Sequence, residues 1–302
     1  MLAEHTLART LIELSELDEA LRRVEDAHGV ALRAARAGNP VMAYSAVEIE
    51  QTIGIVHWRR GEFRTAIDWL ESALRRCRAT EDEARQRQVE TELARVRTKL
   101  AELLNDTEAL KAIRDQLARS VQELEPVFGP RYRHLIARRI LAGESALLSG
   151  DATAAAAHLE AALSAHTDTI GIEHPDTSYV ERLLGLLYCT TGRPAVGFSM
   201  LNHALDVYQR LYGTDHPYVS EVLASLGAAQ AATGQPAEAE DSLRRVLEID
   251  ERCYQPDHPK IALACDRLAR VWESSGRSAP ESADLRDRAA RIRSRAEEPA
   301  SG

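Results

Sequence analysis

The sequence predicts an all-α fold, an α-solenoid of about seven stacked helix pairs. Two observations lead to this prediction. The same residues recur along the chain with a period of 42 residues, and repetition with a period of 20 to 50 residues is typical of solenoids. Alanine, leucine, arginine and glutamate are abundant while aromatic residues make up only 5% of the chain, a composition that favours helix over sheet.

Four series of residues mark the repeat, and all four keep one register. The dipeptide His-Pro occurs at 174–175, 216–217 and 258–259. The three glycine series are Gly150, Gly192, Gly234 and Gly276; Gly143, Gly185 and Gly227; and Gly129, Gly171 and Gly213. Four independent markers with one period indicate a structural repeat.

Each marker has a place in a helix pair. Pro175, Pro217 and Pro259 are predicted to begin the first helix, because a missing N–H costs nothing in the first turn. That helix ends near Gly192 and its equivalents, where a left-handed C-terminal cap favours glycine. Gly185 falls in mid-helix, where glycine costs about 1 kcal/mol relative to alanine. Its recurrence predicts that the partner helix approaches closely there.

The remaining pairs follow this pattern with less fidelity. Gly54 and Gly61 mark a second pair upstream, Ser15 stands where the first pair would have its cap glycine, and residues 37–40 form a turn-rich joint. The degenerate third pair turns near Asn105. The predicted pairs are 1–34, 47–80, 84–124, 132–170, 174–212, 216–254 and 258–296, in one array over 1–297, with 298–302 as a disordered tail.

The last helix is predicted to cap the array. Leu285, Ala289, Ile292 and Ala296 form an apolar stripe at helical spacing. Solvated arginines are expected on the other faces, because a terminal repeat needs a polar outer side; the alternative is a basic patch for acidic partners. These arginines are Arg286, Arg288, Arg291, Arg293 and Arg295.

Several fragments resemble the tetratricopeptide consensus: Leu184-Gly185-x2-Tyr188, Ala239-x3-Leu243 and Ala66-x3-Leu70. The period of 42, with Gly-x2-His-Pro at 171–175 and 213–217, is similar to the variant found in kinesin light chains and many bacterial regulatory proteins, although Gln255 replaces the glycine in the third copy. The resemblance is strongest over 129–276. It implies a right-handed superhelix that binds peptides or other proteins.

The resemblance also implies which residues contact a partner, since first helices line the concave face in such proteins. Trp58 is the leading anchor, with packing against the next repeat as the alternative. Arg182 and Arg270 could clamp an acidic peptide, or be ordinary solvated charges. The candidate residues are Glu48, Gln51, Trp58, Tyr179, Arg182, Cys189, Glu221, Asp266, Arg270 and Glu273. Kinesin light chains often carry two adjacent asparagines where this chain has 182–183, 224–225 and 266–267, so the bound peptide is expected to differ.

No catalytic or metal-binding motif is recognisable, and the sequence predicts a non-enzymatic protein without cofactor or metal. P-loop, HExxH and GxSxG motifs are absent from the sequence. His174, His216 and His258 lie in different repeats, about 10 Å apart or more, and zinc bonds of about 2.1 Å cannot bridge that distance. Cys253 and Cys265, which flank His258, are interpreted as buried thiols.

The leading functional prediction is a protein- or peptide-binding scaffold or adaptor. A net charge of −9 argues against general nucleic-acid binding. Cysteines without a CxxC pair suit a reducing compartment, and no secretory signal or membrane span is apparent, so a cytoplasmic location is expected. The alternatives are a regulatory sensor that binds a signalling peptide or small ligand and controls a separate effector, and an enzyme with a helical-repeat fold. Imperfect end caps also permit a homodimer.

Overall fold

The structure is a computed structural model that describes residues 2–13, 16–37, 40–276 and 279–297. Fourteen helices and no strand occur in these ranges. The helices are α1 Leu2–Glu13, α2 Leu17–Arg36, α3 Pro40–Arg59, α4 Phe63–Ala79, α5 Glu83–Leu104, α6 Thr107–Phe128, α7 Arg133–Leu148, α8 Ala152–Ile170, α9 Pro175–Thr190, α10 Pro194–Tyr212, α11 Pro217–Ala232, α12 Pro236–Cys253, α13 Pro259–Ser274 and α14 Ala279–Glu297. The prediction of an all-α solenoid with about seven helix pairs is confirmed.

The His-Pro dipeptides begin first helices, as predicted. Helices α9, α11 and α13 start at Pro175, Pro217 and Pro259, and the preceding histidine is the N-cap in each. Its Nδ1 accepts a hydrogen bond from the backbone N–H two residues later, at 3.1 to 3.2 Å. The cap therefore satisfies one of the backbone donors that a helix N-terminus leaves unpaired.

The mid-helix glycines lie where the two helices of a pair touch. A Cβ atom at Gly143 would be 2.5 Å from Cγ of Leu159, and one at Gly227 would be 2.7 Å from Cγ of Leu243. In each case the leucine lies sixteen residues later, on the second helix of the same pair. The predicted close approach is confirmed, and glycine is required there for space. The cap glycines instead adopt left-handed backbone angles, with φ +85° at Gly192.

The chain divides into two compact units. The first comprises the described residues up to Leu100 together with Ala296 and Glu297, and the second is Ala101–Arg295. In the first unit, Ile49 and Ile53 pack against α2. In the second, Leu159 and Leu201 are fully buried between successive helices.

Some boundaries differ from the prediction. Helix α3 begins at Pro40 and not near 47, because the additional turns pack Ala46 into the core, where it is fully buried. Helix α6 extends to Phe128, four residues beyond the predicted end. The predictions for Ser15, for the middle of the joint at 38–39 and for the tail 298–302 lie outside the described residues.

Candidate functional site

A chain of polar contacts joins the first helices of the second unit. The Tyr179 hydroxyl on α9 donates to the Glu144 carboxylate on α7, with both oxygens 3.0 Å away. Arg182 on α9 pairs with Glu221 on α11 at 3.9 Å, and Lys260 on α13 donates to the same Glu221 at 2.5 Å. These five residues form what we call the first-helix ladder. It crosses four successive first helices with alternating charge.

Arg182 is the buried centre of the ladder. Only 8% of the residue is exposed, its guanidinium lies 4.7 Å from the centre of the Tyr179 ring, and it donates to the Ser225 hydroxyl at 3.1 Å. Burial opposes the charge, but nearby Tyr179 and Glu221 outweigh it and raise the pKa of Arg182. The pKa of Lys260 is raised in the same way, because Glu221 outweighs the effect of burial. Both residues therefore remain cations that their own chain holds in place.

A cluster of charged residues continues along α13 and α14. Its carboxylates already have arginine partners, and one guanidinium binds its carboxylate through two hydrogen bonds, the stronger geometry. The pairs are Arg267 with Glu102 at 3.0 Å, Arg286 with Glu273 at 2.8 and 3.1 Å, Arg286 with Asp266 at 3.4 Å, and Arg293 with Asp266.

Arg270 is the fourth guanidinium of this cluster. Its side chain is exposed, and its Nε donates to the backbone oxygen of Asp266 at 3.4 Å. Partial burial and the positive charges of Arg267 and Arg286 lower the pKa of Arg270. Among the described residues, the four arginines of the cluster face three carboxylates, so Arg270 carries a local surplus of positive charge.

Four arginines of α14 have partners in preceding elements. Besides the cluster, Arg288 pairs with Glu251 at 2.5 Å and Arg295 pairs with Asp257. The last helix was expected to carry solvated arginines. Arg291 is exposed, and Arg295 has 62% of its side chain exposed although it joins the helix to the preceding repeat.

The first unit holds three of the predicted contact residues. Glu48 pairs with Arg85 at 2.5 Å, and Gln51 is 5% exposed. The half-buried Trp58 has the guanidiniums of Arg59 and Arg95 at 5.7 and 6.0 Å from its ring. Arg95 belongs to α5, so the ring lies close to the first helix of the next pair.

The structure brings together most of the other predicted residues. Tyr179, Arg182 and Glu221 meet in the ladder, whereas Asp266, Arg270 and Glu273 lie in the cluster. Cys189 is 4% exposed, and its thiol contacts the backbone of the same helix pair. Their role as partner contacts stays a prediction.

Two ladder residues were missed in the sequence. Glu144 could have been found from the repeat, because it lies three periods of 42 residues before Arg270 and therefore occupies the same position in its helix. Lys260 follows Pro259 and has no charged equivalent in the preceding repeat, where Tyr218 stands. The repeat therefore gave no indication that Lys260 belongs to the ladder.

Cys253 and Cys265 were both expected to be buried thiols, and this is correct for one of them. Cys265 is buried, but Cys253 is exposed at the end of α12, because that end faces the loop and not the core. The Nδ1 atom of His258 accepts the N-cap hydrogen bond of α13 from the backbone N–H of Lys260. Within the described ranges no three histidine, cysteine or acidic side chains group closely enough to hold a metal ion.

Comparison with known proteins gives one family match, within the second unit. Residues 176–252 match the model of the Tetratricopeptide repeat family. The matched residues correspond to α9–α12, and the predicted resemblance to tetratricopeptide repeats is confirmed there. Proteins of this family typically bind proteins or peptides.

Solved structures also match the chain at low sequence identity. BtubC (BKLC) from P. vanneervenii is 18% identical, with 95% of this chain and 94% of that chain covered and a TM-score of 0.44. A putative kinesin light chain with nearly identical TPR-like repeats from Podosopora anserina is also 18% identical, covering 68% of this chain and 98% of that one, with a TM-score of 0.44. No curated protein is significantly similar in sequence. None of the helices in the described ranges combines the length and apolar character needed to cross a lipid bilayer.

Proposed function

We propose that the chain is a cytoplasmic scaffold or adaptor whose second unit binds a segment of a partner protein along its first helices. The observation that supports this proposal most directly is the first-helix ladder, which leads into the cluster around Arg270. The ladder residues form a continuous polar path across α7, α9, α11 and α13. Such a path suits an extended chain that crosses several repeats.

The ladder contributes rigidity to this surface. Arg182 and Lys260 share Glu221, and Tyr179 is held by Glu144. Side chains already ordered by their own protein lose little conformational entropy when a partner binds. We expect the ladder to fix the first helices against one another and to contribute little charge preference, because Glu144 and Arg182 are buried and the positive and negative groups balance.

Arg270 is proposed to supply the charge preference. Two N–H groups of its guanidinium can donate to the two oxygens of a carboxylate in a bidentate geometry, which is stronger than a single neutral hydrogen bond. The neighbouring carboxylates do not compete effectively, because Glu273 and Asp266 are bonded to Arg286 and Arg293. An acidic residue of the partner is therefore the expected ligand of Arg270. In this role the chain carries out no bond chemistry.

The test is affinity purification of the tagged chain from its native cells, with bound proteins identified by mass spectrometry. Arg270→Gln should weaken the partner's affinity at least about tenfold and reduce its recovery accordingly, since a charged hydrogen bond is worth about 1.5–3 kcal/mol. The control is Arg22→Gln, because Arg22 is an exposed arginine of the first unit that pairs with Glu19 at 2.5 Å. Equal loss with both variants would show a general charge effect and contradict the assignment of Arg270. A small ligand that raises the melting temperature, with no protein recovered, would support the sensor instead.

A further inference from the structure

A second surface of the second unit exposes large apolar side chains. Among the described residues, ten large hydrophobic side chains are exposed, and six of them lie at the ends of α6, α8 and α10 and in the loop after α8. We call these six the apolar ridge: Val127, Phe128, Ile170, Ile172, Leu211 and Tyr212.

The ridge follows the repeat. Phe128, Ile170 and Tyr212 are 42 residues apart, so they occupy the same end of three successive second helices. The next equivalent, Tyr254, is half-buried and stacks on His258 with 4.1 Å between ring centres. The ridge therefore ends at the α10–α11 loop.

Part of the ridge is concave. A shallow depression of about 500 Å³ has four ridge residues in its lining. The lining residues are Ile170, Gly171, Ile172, Glu173, His174, Pro175, Leu211 and Tyr212. The lining is mostly apolar, which suits an apolar side chain of a partner.

The charges beside the ridge are already neutralised by partners within the chain. Each loop charge pairs with a residue 37 positions later, near the end of the following second helix. The pairs are Arg131 with Asp168 at 2.9 Å, Glu173 with Arg210, and Asp215 with Arg252 at 2.9 Å. Since these pairs leave little net charge along the edge, the ridge favours an uncharged apolar partner.

The exposed area limits the size of that partner. The six residues are about half exposed on average. Four of them are aliphatic, so the lower part of the range of about 150–250 Å² for aromatic side chains applies, and the ridge presents roughly 450–600 Å². A stable protein dimer buries about 800 Å² on each partner. The ridge is too small for that, whereas an apolar patch of this size on a single protein often has a binding role.

We propose that the apolar ridge is a docking site for a short, uncharged partner segment with large aliphatic or aromatic side chains. It lies at the ends of second helices and shares no residue with the first-helix ladder. The protein then has two recognition surfaces with different chemistry, and this second site does not depend on the proposed role of Arg270.

The experiment selects ligands from a random dodecapeptide phage library on the full-length chain and measures the selected peptides by fluorescence anisotropy. Ile172→Glu and Leu211→Glu introduce a charge into the ridge. The control is Val196→Glu, because Val196 is 43% exposed in the first turn of α10. It lies about 22 Å along that helix from Leu211, at 1.5 Å per residue. Circular dichroism checks that all three variants remain folded.

We expect apolar peptides whose affinity falls at least tenfold with each ridge variant and less than twofold with Val196→Glu. Binding should not weaken between 50 and 500 mM NaCl, because salt screens charges and leaves apolar contacts intact. The proposal is overturned if no apolar peptide is selected, if Val196→Glu has the same effect, or if the selected peptides are acidic. It is also overturned if the chain sediments as a dimer that Ile172→Glu dissociates, since the ridge would then be a self-interface.

Discussion

Substituting the mid-helix glycine of α11 tests the packing that defines the repeat. A Cβ atom at Gly227 would lie 2.7 Å from Cγ of Leu243 and 3.3 Å from the backbone oxygen of Ala239. Overpacking of this kind costs about 1–3 kcal/mol, whereas replacing a helical glycine by alanine contributes about 1 kcal/mol of stability. Gly227→Ala should therefore lower the free energy of unfolding by up to about 2 kcal/mol.

The chain offers a matched control. Gly29 also lies within a helix, but the nearest atom to its added Cβ is the end of the flexible Arg33 side chain at 3.4 Å. Gly29→Ala should raise stability by about 0.5–1 kcal/mol. The two identical substitutions are thus expected to have opposite signs.

Urea unfolding followed by circular dichroism measures the effects, with hydrogen exchange assigning each to α2 or α11. Leu243→Ala alone should cost about 2–5 kcal/mol. In the Gly227→Ala background it should cost less, because the alanine methyl occupies part of the space that the leucine leaves. Stabilisation by Gly227→Ala equal to that by Gly29→Ala, or strict additivity with Leu243→Ala, would refute the close-approach argument.

Three further outcomes are expected. His216→Ala should destabilise α11 by about 1 kcal/mol while His216→Asn does not, as measured by urea unfolding, because asparagine retains an N-cap acceptor; equal loss would contradict capping by the ring. Hydrogen bonding to Glu181 raises the pKa of His203, so its stabilising effect is present below the unfolded pKa of about 6.5 and lost as pH rises through the higher folded value. The difference in unfolding free energy between the wild type and His203→Gln should therefore be larger at pH 6 than at pH 9. Trp58→Ala should weaken partner recovery if the ring is an anchor; unimpaired recovery with a lower melting temperature would show that Trp58 only packs.

The close packing of the α9–α10 pair shows where the sequence was insufficient. Gly185 was identified through its period, but Gly197 was not, because the equivalent positions carry Ala155 and Ala239. A Cβ at Gly197 would lie 2.5 Å from the backbone oxygen of Gly185 and 2.5 Å from Sγ of Cys189. This pair is closer than its neighbours, and only the packed helices reveal it.

The chemistry of the expected partner could not be predicted from the sequence alone either. Arg182 and Arg270 both fit the sequence criterion for a contact residue, yet Arg182 is buried against Glu221 and Tyr179 whereas Arg270 remains exposed. The difference arises because Arg182 lies beside Glu221 of another helix. The carboxylates near Arg270 are instead paired with Arg286 and Arg293. Glu102, which removes Arg267 as a free charge, is 165 residues away in the chain.

The sequence by itself determined the period, the helix pairs and the glycine and proline positions that start and end them. Those signals are local, since caps, turns and helical apolar spacing act within a few residues. The tertiary structure alone decided which charges neutralise one another and which apolar side chains remain exposed. Both depend on distances between elements that are far apart in the chain, because the strength of a charge pair or an apolar contact varies with separation and burial.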